Sequence, residues 1–494
     1  MQFTWIEEGP VPNDPYVDIL IVKHDRYIEP GSIPDNITKI IFKNYTREIV
    51  KGVLPKNLVE LVMGKNNTIL NKEILPASLE KLSLCGNYGK KFDKNSLPEN
   101  LKSLGLGGDF NQDLDNRTLP EFLEKLSIGV CGAYNKMLTR NSLPKNLRSL
   151  TLGCKYTHPF EEGLFPDSLI YMEIISETRR EINKYILPKY LQVLILETEY
   201  YMDIDENTFP DTLVELELSN HIPFGINCLP ENLKILRFTT STHELNSEIL
   251  PDNLTELHLG YYYEHRITKN SFPETLKKLV LPDDYDNTLD DGVLPDSVEE
   301  LVIWWNCRLD LTPRTLPKNI VKLQLGMDYN MPVHHSLFPD SVRELKFGIN
   351  YDQLICRDTL PKKLTKLELP EFYEYPISDI SLPDSIEHLV IGLSYNAHID
   401  IDYLPLQLKY LTIPNAKQLE KFNDVYNRLY FSIIFNNPQN LANIKFSVLC
   451  DNRWTNTHNE YQCIGTELIN GKKYYRIINP EHYVWGFRIK SAKK

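Results

Sequence analysis

Apolar residues recur along most of the chain in one short pattern: apolar-Pro-x-x-apolar-x-x-apolar-x-apolar. Leu97-Pro98-Glu99-Asn100-Leu101-Lys102-Ser103-Leu104-Gly105-Leu106 is one copy, and Leu316-Pro317-Lys318-Asn319-Ile320-Val321-Lys322-Leu323-Gln324-Leu325 is another. Eighteen prolines, from Pro34 to Pro405, mark the copies; twelve of the 17 intervals are 22 residues and three are 21. The apolar pair six and eight residues after the proline has polar neighbours, which is the period of a half-buried strand. The proline opens a tight turn, and Asp, Asn or Ser commonly follows it. Twelve residues after the proline there is usually a Tyr (Tyr88, Tyr156, Tyr200, Tyr263, Tyr285, Tyr329, Tyr351, Tyr373, Tyr395), with Phe110 once. Sixteen after it stands an aliphatic residue or Phe, such as Phe92, Ile267, Ile355 or Ile399.

The other dozen residues of each lap carry no helical stripe, so they should be loops, extended segments or short 3-10 turns. One lap cannot bury its own apolar side, but stacked laps can. The expected fold is therefore a β-rich solenoid of about 18 laps of ~22 residues, with a parallel sheet on one face. Its core should be a Leu/Ile column beside a Tyr column whose hydroxyls reach the rim or the backbone.

Three regions are expected. Residues 1–33 read as an N-terminal cap with a degenerate first lap, in which Asp14 stands in the proline's place before Val17-Asp18-Ile19-Leu20-Ile21-Val22. Residues 34–414 form the repeats. Residues 415–494 read as a small α+β cap: Leu419, Phe422, Tyr426 and Leu429 have helical spacing, and Ile444–Cys450 and Tyr474–Ile478 read as strands. Asn470-Gly471 is a hairpin signal, and Tyr483, Trp485 and Phe487 alternate in a last strand.

The L-x-x-L-x-L spacing within a short lap resembles a leucine-rich repeat. Few laps carry that family's Asn (Asn87, Asn306 and Asn350 do). Instead Gly often follows the strand, as at Gly107, Gly129, Gly153, Gly260, Gly326, Gly348 and Gly392. An aromatic-Asn pair then appears: Phe110-Asn111, Tyr134-Asn135, Tyr329-Asn330, Tyr395-Asn396. This combination is similar to the FNIP repeat, a relative of the leucine-rich repeat found in social amoebae and amoeba-infecting giant viruses, often behind an F-box. The resemblance implies a binding scaffold, with ubiquitin-ligase recruitment among its roles. No F-box is seen in the 33 residues before the first full lap.

Net charge narrows the partners. At −13, the chain lacks the cationic surplus that phosphates or anionic lipids demand, so neither nucleic acid nor membrane is expected. No run of about 18 apolar residues suggests a membrane span, and the start has no basic cluster of a signal peptide. A cytoplasmic location is expected, in the host's cytoplasm if the chain is viral. The eight cysteines form no C-x-x-C pair, so they are expected to be free thiols packed as small buried hydrophobes.

Catalytic signals are absent: there is no H-E-x-x-H, P-loop, G-x-S-x-G or kinase set. Gly105-Leu106-Gly107-Gly108 lies at a strand exit inside a repeat, His334-His335 on a solvated turn, and His258 beside Glu256 as an exposed pair. No cofactor and no metal is expected, and the chain is read as no enzyme.

Binding candidates lie on the outward strand positions, five and seven after each proline. Early these are small (Ser103, Gly105, Ser127, Ser149, Thr151), midway acidic (Glu173, Glu215, Glu217, Glu256), and later mixed, from Lys278 and Glu300 to Lys366 and Glu368. Lys/Glu rows of this kind solvate a face and pair across neighbouring strands. One aromatic group stands apart: Tyr261 and Tyr262 follow one strand, Trp304 and Trp305 another, and Met327 and Ile349 share the lap position of Trp305 and Tyr261. Stacking would align them in an apolar ridge that binds a protein partner. The expected function is a non-enzymatic interaction scaffold; the alternative is a structural component of a larger assembly such as a virus particle.

Overall fold

The computed structural model describes residues 2–5, 11, 13–66, 68–86, 88–115, 117–130, 132–178, 181–198, 203–219, 225–242, 244–285, 287–304, 309–392, 395, 403–413, 445–449, 458–469 and 472–478. Two compact units make up the chain, Met1–Leu254 and Thr255–Lys494. The first carries β1 (Gln2–Trp5), β2 (Ile19–Val22), β3 (Lys39–Phe42), β4 (Glu60–Met63), β5 (Lys81–Leu84), β6 (Ser103–Leu106), β7 (Lys125–Ile128), β8 (Ser149–Leu152), β9 (Tyr171–Ser176), β10 (Val193–Thr198), β11 (Glu215–Leu218) and β12 (Ile235–Phe238). Each pairs in parallel with the next, in register by lap, so that Leu82, Leu104, Leu126 and Leu150 lie side by side.

The second unit repeats the design with β13 (Glu256–His258), β14 (Lys278–Val280), β15 (Glu300–Val302), β16 (Lys322–Gln324), β17 (Glu344–Lys346), β18 (Lys366–Glu368), β19 (His388–Val390) and β20 (Tyr410–Ile413). These too are parallel neighbours. β21 (Lys445–Leu449) continues parallel to β20, and the pairing then turns antiparallel through β22 (His458–Ile469) and β23 (Lys472–Ile478). The expected helix at Leu419–Leu429, the Asn470-Gly471 turn and the strand at Tyr483, Trp485 and Phe487 lie outside the described residues. Helix among the described residues is limited to the 3-10 turn Ile377–Asp379 and a single 3-10 position at Tyr403.

Each lap begins with the proline carbonyl. Pro55 O accepts from Leu58 N–H at 3.2 Å, and Pro295 O from Val298 N–H at 3.1 Å, so the proline is the first residue of the turn. The residue two after the proline does more than favour the turn. Ser78 Oγ lies 2.7 Å from both Lys56 O and Leu58 O, sharing its proton with carbonyls of the preceding lap. Ser385 does the same with Lys362 O and Leu364 O, and Asn100 and Asn319 donate their amides to Ala77 O and Asp296 O. A position legible as a turn former is thus also a clamp between laps. Polar backbone groups that a buried turn would leave without a partner are satisfied this way.

Six positions of a lap point inward. In one lap these are Leu97, Leu101, Leu104, Leu106, Phe110 and Leu114, and in another Leu316, Ile320, Leu323, Leu325, Tyr329 and Val333, all buried. The tyrosine column forms as the spacing predicts, except that Tyr200 and Ile399 lie outside the described residues. In the first unit Tyr134 stacks on Tyr156 with ring centroids 6.2 Å apart; in the second Tyr329 stacks on Tyr351 at 6.4 Å. Several of the hydroxyls meet backbone, whereas those of Tyr88 and Tyr134 are buried without a hydrogen-bond partner among the described residues. Tyr156, Tyr285, Tyr351, Tyr373 and Tyr395 each accept a hydrogen bond from the N–H of a residue 18 earlier: Leu138, Ile267, Val333, Ile355 and Ile377. The lap position sixteen after the proline (eighteen for Leu138, in the 24-residue lap) therefore supplies both an apolar side chain and the donor for the next lap's tyrosine. The aromatic-Asn pair has a similar use: Asn111 Oδ1 accepts from Asn135 N–H, and Asn330 Oδ1 from Asp352 N–H, one lap on.

Glycine at the strand exit answers to close approach. A Cβ on Gly153 would stand 1.7 Å from Gly129 O, on Gly348 1.8 Å from Gly326 O, and on Gly392 2.0 Å from Pro370 O. Gly108 combines such an approach, 1.0 Å from Gly86 O, with a φ of +58°. In the Gly105-Leu106-Gly107-Gly108 stretch this packing accounts for Gly108, while a Cβ on Gly105 or Gly107 would meet its neighbours at ordinary contact distances of 3.4 and 3.6 Å.

The cysteines correct one expectation. Cys85 and Cys356 are exposed, and Cys154 and Cys228 are half-buried, all as free thiols. They occupy strand exits and turns, not the six inward positions, so burial was never open to them. Cys131, Cys307 and Cys450 lie outside the described residues, and Cys463 is described only as part of β22.

Two outcomes follow from this packing. Gly348→Ala should destabilise the chain by about 3–5 kcal/mol, whereas Gly225→Ala, with open space around the site, should change stability by no more than about 1 kcal/mol, measured by chemical denaturation. The tyrosine column makes the fold sensitive to alkali. Burial pushes the Tyr88, Tyr329 and Tyr373 hydroxyls up from 10.0 to about 12, and raises Tyr134, Tyr351 and Tyr395 as well. Their neutral forms stabilise the fold fully below pH 10, and that contribution is lost as the pH climbs from 10 toward 12. Tyrosinate absorbance should therefore rise together with loss of the β circular-dichroism signal in that window; ionisation of these tyrosines near pH 10 with the fold intact would contradict it.

Candidate interaction surfaces

The outward strand positions divide by unit. In the first unit Ser83, Ser103, Gly105, Ser127, Ser149 and Thr151 floor a shallow cavity of about 290 Å³ flanked by Lys81 and Lys125. Further along, the acidic group is tied in place. Glu173 accepts from Thr151 Oγ1 at 3.0 Å and from the Tyr171 hydroxyl at 3.4 Å, and Arg237 pairs with Glu215. Burial lifts the Glu217 carboxyl above its ordinary range; Glu197, Glu215 and Glu173 push the same way against Arg237.

In the second unit the position five after the proline alternates in sign: Glu256, Lys278, Glu300, Lys322, Glu344 and Lys366 sit in register on adjacent strands. Lys278 Nζ lies 3.7 Å from Glu256 and 3.3 Å from Glu300, and Lys322 Nζ 3.4 Å from Glu344. Burial pushes the Glu368 carboxyl up, yet Lys346 and Lys366 outweigh it and hold it below its usual value. The ladder ends where His388 stacks on Tyr410 at 4.3 Å. His258 is half-buried rather than exposed, with Nε2 2.8 Å from Glu256 Oε1. His335 Nδ1 is 2.5 Å from Ser336 Oγ in a turn. Among the described residues no group of three or more His, Cys, Asp or Glu is placed to hold a metal ion.

The aromatic group lies at the strand exits of the second unit. Tyr261, Tyr262 and Trp304 are 49%, 62% and 40% exposed, and Tyr262 has a φ of +66°. Met327 and Ile349 are half-buried, and Trp305 lies outside the described residues. The exits are fastened lap to lap: Asn350 N–H donates to Met327 O at 2.9 Å and Phe372 N–H to Ile349 O at 3.3 Å. Stacking does not yield an unbroken apolar row, because Asp283 and Glu371 share the lap position of Tyr261, Met327 and Ile349. The Tyr261 hydroxyl hydrogen-bonds Asp283, whose carboxyl burial raises above its usual range. Phe372, 49% exposed, belongs to the same surface and was missed from the sequence. Its lap position, that of Tyr262, was the signal that could have found it.

Parallel short strands on one face, loops on the other and a lap near 22 residues define a leucine-rich-repeat-like solenoid. The FNIP Repeat pattern matches residues 24–66, 66–109, 88–131, 134–177, 222–262, 241–284, 263–303, 285–328, 305–348, 329–372 and 373–416. The chain belongs to the FNIP repeat family. Among solved structures it is similar to CroV588, described as a novel circular leucine-rich-repeat protein, at 26% identity and a TM-score of 0.57. That match covers 81% of this chain and 66% of CroV588, just under two thirds of the latter's length. It also matches YopM from Yersinia enterocolitica at 19% identity (77% of this chain, 87% of that one, TM-score 0.34). No curated protein matches the sequence. Among the described residues no helix is long and apolar enough to cross a membrane.

The charge ladder has a direct test. Lys322→Glu would set three carboxylates opposite one another at Glu300, position 322 and Glu344, and should destabilise by about 1 kcal/mol at low salt, less at high salt. A salt-independent loss, read from urea midpoints, would mean that the ladder does not act through charge.

Proposed function

We propose that this chain is a non-enzymatic protein-interaction scaffold, and that it holds a protein partner at the strand exits of its second unit. The observation that carries this reading is the exposure of Tyr261, Tyr262 and Trp304, while Tyr263, one residue on, is 2% exposed. Large aromatic side chains held out from a hydrogen-bonded frame lose little freedom on binding, and such residues are enriched at partner sites. The Lys/Glu ladder, by contrast, largely pairs within itself and offers a partner less.

The repeat family makes ubiquitin-ligase subunits the first partners to look for, in the cytoplasm, or in the host's cytoplasm if the chain is viral. The acidic balance argues against nucleic acid and anionic membranes as partners. No cofactor is needed for this role. Residues 1–33 and 415–494 serve as caps in this reading, covering the apolar faces that terminal laps would leave open.

Combined replacement of Tyr261, Tyr262, Trp304 and Trp305 by Ala should cut recovery of a specific partner from lysate by about thirtyfold or more, with folding intact by circular dichroism. Unchanged recovery would refute the site. Failure to recover any partner, combined with abundance of the chain in purified particles, would favour a structural component of an assembly instead.

A further inference from the structure

The chemistry around the exposed aromatics in the second unit is one-sided. The strand exits, nine to thirteen residues after each proline, carry Asp283, Asp284, Asp328, Asp352 and Glu371 beside the aromatic and apolar side chains. Among the described residues these stretches hold no Lys or Arg; Arg308 and Lys417 are the cations that the sequence adds to them. This contrasts with the strands that feed the exits, where Lys and Glu alternate and cancel. The next Lys or Arg along the chain after the Tyr261 exit, Arg266, is engaged with Asp290 at 2.6 Å.

Two independent features thus express the same preference. Carboxylates attract Lys and Arg through space, and Asp283 is positioned by the Tyr261 hydroxyl beside an exposed ring. The faces of Tyr and Trp rings attract the same cations through their quadrupoles. Trp304, half-buried Met327 and Ile349, and exposed Phe372 supply the apolar contact between them. An acidic or phosphorylated segment would meet repulsion from these carboxylates, and a purely polar cationic one would leave the apolar side chains uncovered.

We propose that the segment bound at these exits is both cationic and apolar: a stretch of a protein partner in which Lys or Arg side chains flank large apolar anchors. This rests on the interaction-scaffold reading and adds the partner's chemistry to it.

The test uses the full chain and three labelled synthetic peptides in fluorescence anisotropy: one with Leu and Trp anchors flanked by Lys, its twin with Glu for every Lys, and oligolysine without anchors. The first should bind saturably, weaken as salt is raised, and exceed both others by about tenfold or more in affinity. Asp283→Asn with Glu371→Gln should weaken it, and so should Tyr261→Ala with Trp304→Ala; Glu371→Gln alone guards against a folding defect at the half-buried Asp283. Equal binding of the Glu twin, or no effect of the carboxylate variants, overturns the proposal. If the twin binds and the aromatic variants abolish it, the scaffold reading stands and only the cationic preference falls. If no peptide binds and the aromatic variants recover partners from lysate at the wild-type level, both fall.

Discussion

Every lap of this protein depends on its neighbour's backbone. A strand of three or four residues cannot satisfy its own amides, and a loop without helix has no internal ladder to turn to. The parallel register settles this by placing each lap one strand spacing from the next. The spacing is enforced at the exits, where the backbone of one lap passes so near the carbonyl of the last that Gly153, Gly348 and Gly392 have no room for a side chain. Turn clamps such as Ser78 and Ser385, and the tyrosine hydroxyls that accept amide protons of the preceding lap, hold the same distance at other points of the circuit.

That constraint explains where the molecule can vary. Inward positions are fixed by packing, exits by backbone contact, and turn positions by their hydrogen bonds. What remains free is the outward side of each strand and the side chains projecting from the exits. Here the two units diverge. Small residues leave a shallow trough on the sheet of the first, while a self-paired ladder of Lys and Glu covers that of the second. Aromatic side chains at the second unit's exits stand outside both solutions, which is why they bear the functional reading.

A self-paired ladder is also a device of register. Glu256 to Lys366 alternate in sign only if each strand sits opposite the correct residue of the next; a slip would bring unlike side chains into the row and turn the apolar pair to solvent. Individual pairs of this kind are worth little at an exposed surface. Repetition over successive strands makes them a consistent vote for one alignment.

The proline period, the alternating apolar pair and the tyrosine twelve residues on determined the parallel strands, the six inward positions and the aromatic column. They did so because a pattern repeated this often has to place equivalent residues in equivalent surroundings. The proposed site was only half legible. Tyr261, Tyr262 and Trp304 could be aligned by lap position, but the interruption by Asp283 and Glu371, the sinking of Met327 and Ile349 and the part played by Phe372 depend on how far each exit projects. The cysteines failed for the same reason, since residue type suggests burial but lap position decides it. Tertiary structure alone decided the glycine contacts, the clamps between turns and the amide partners of the tyrosine hydroxyls, because each joins atoms about one lap apart, and one copy of a repeat does not say how closely the next will lie.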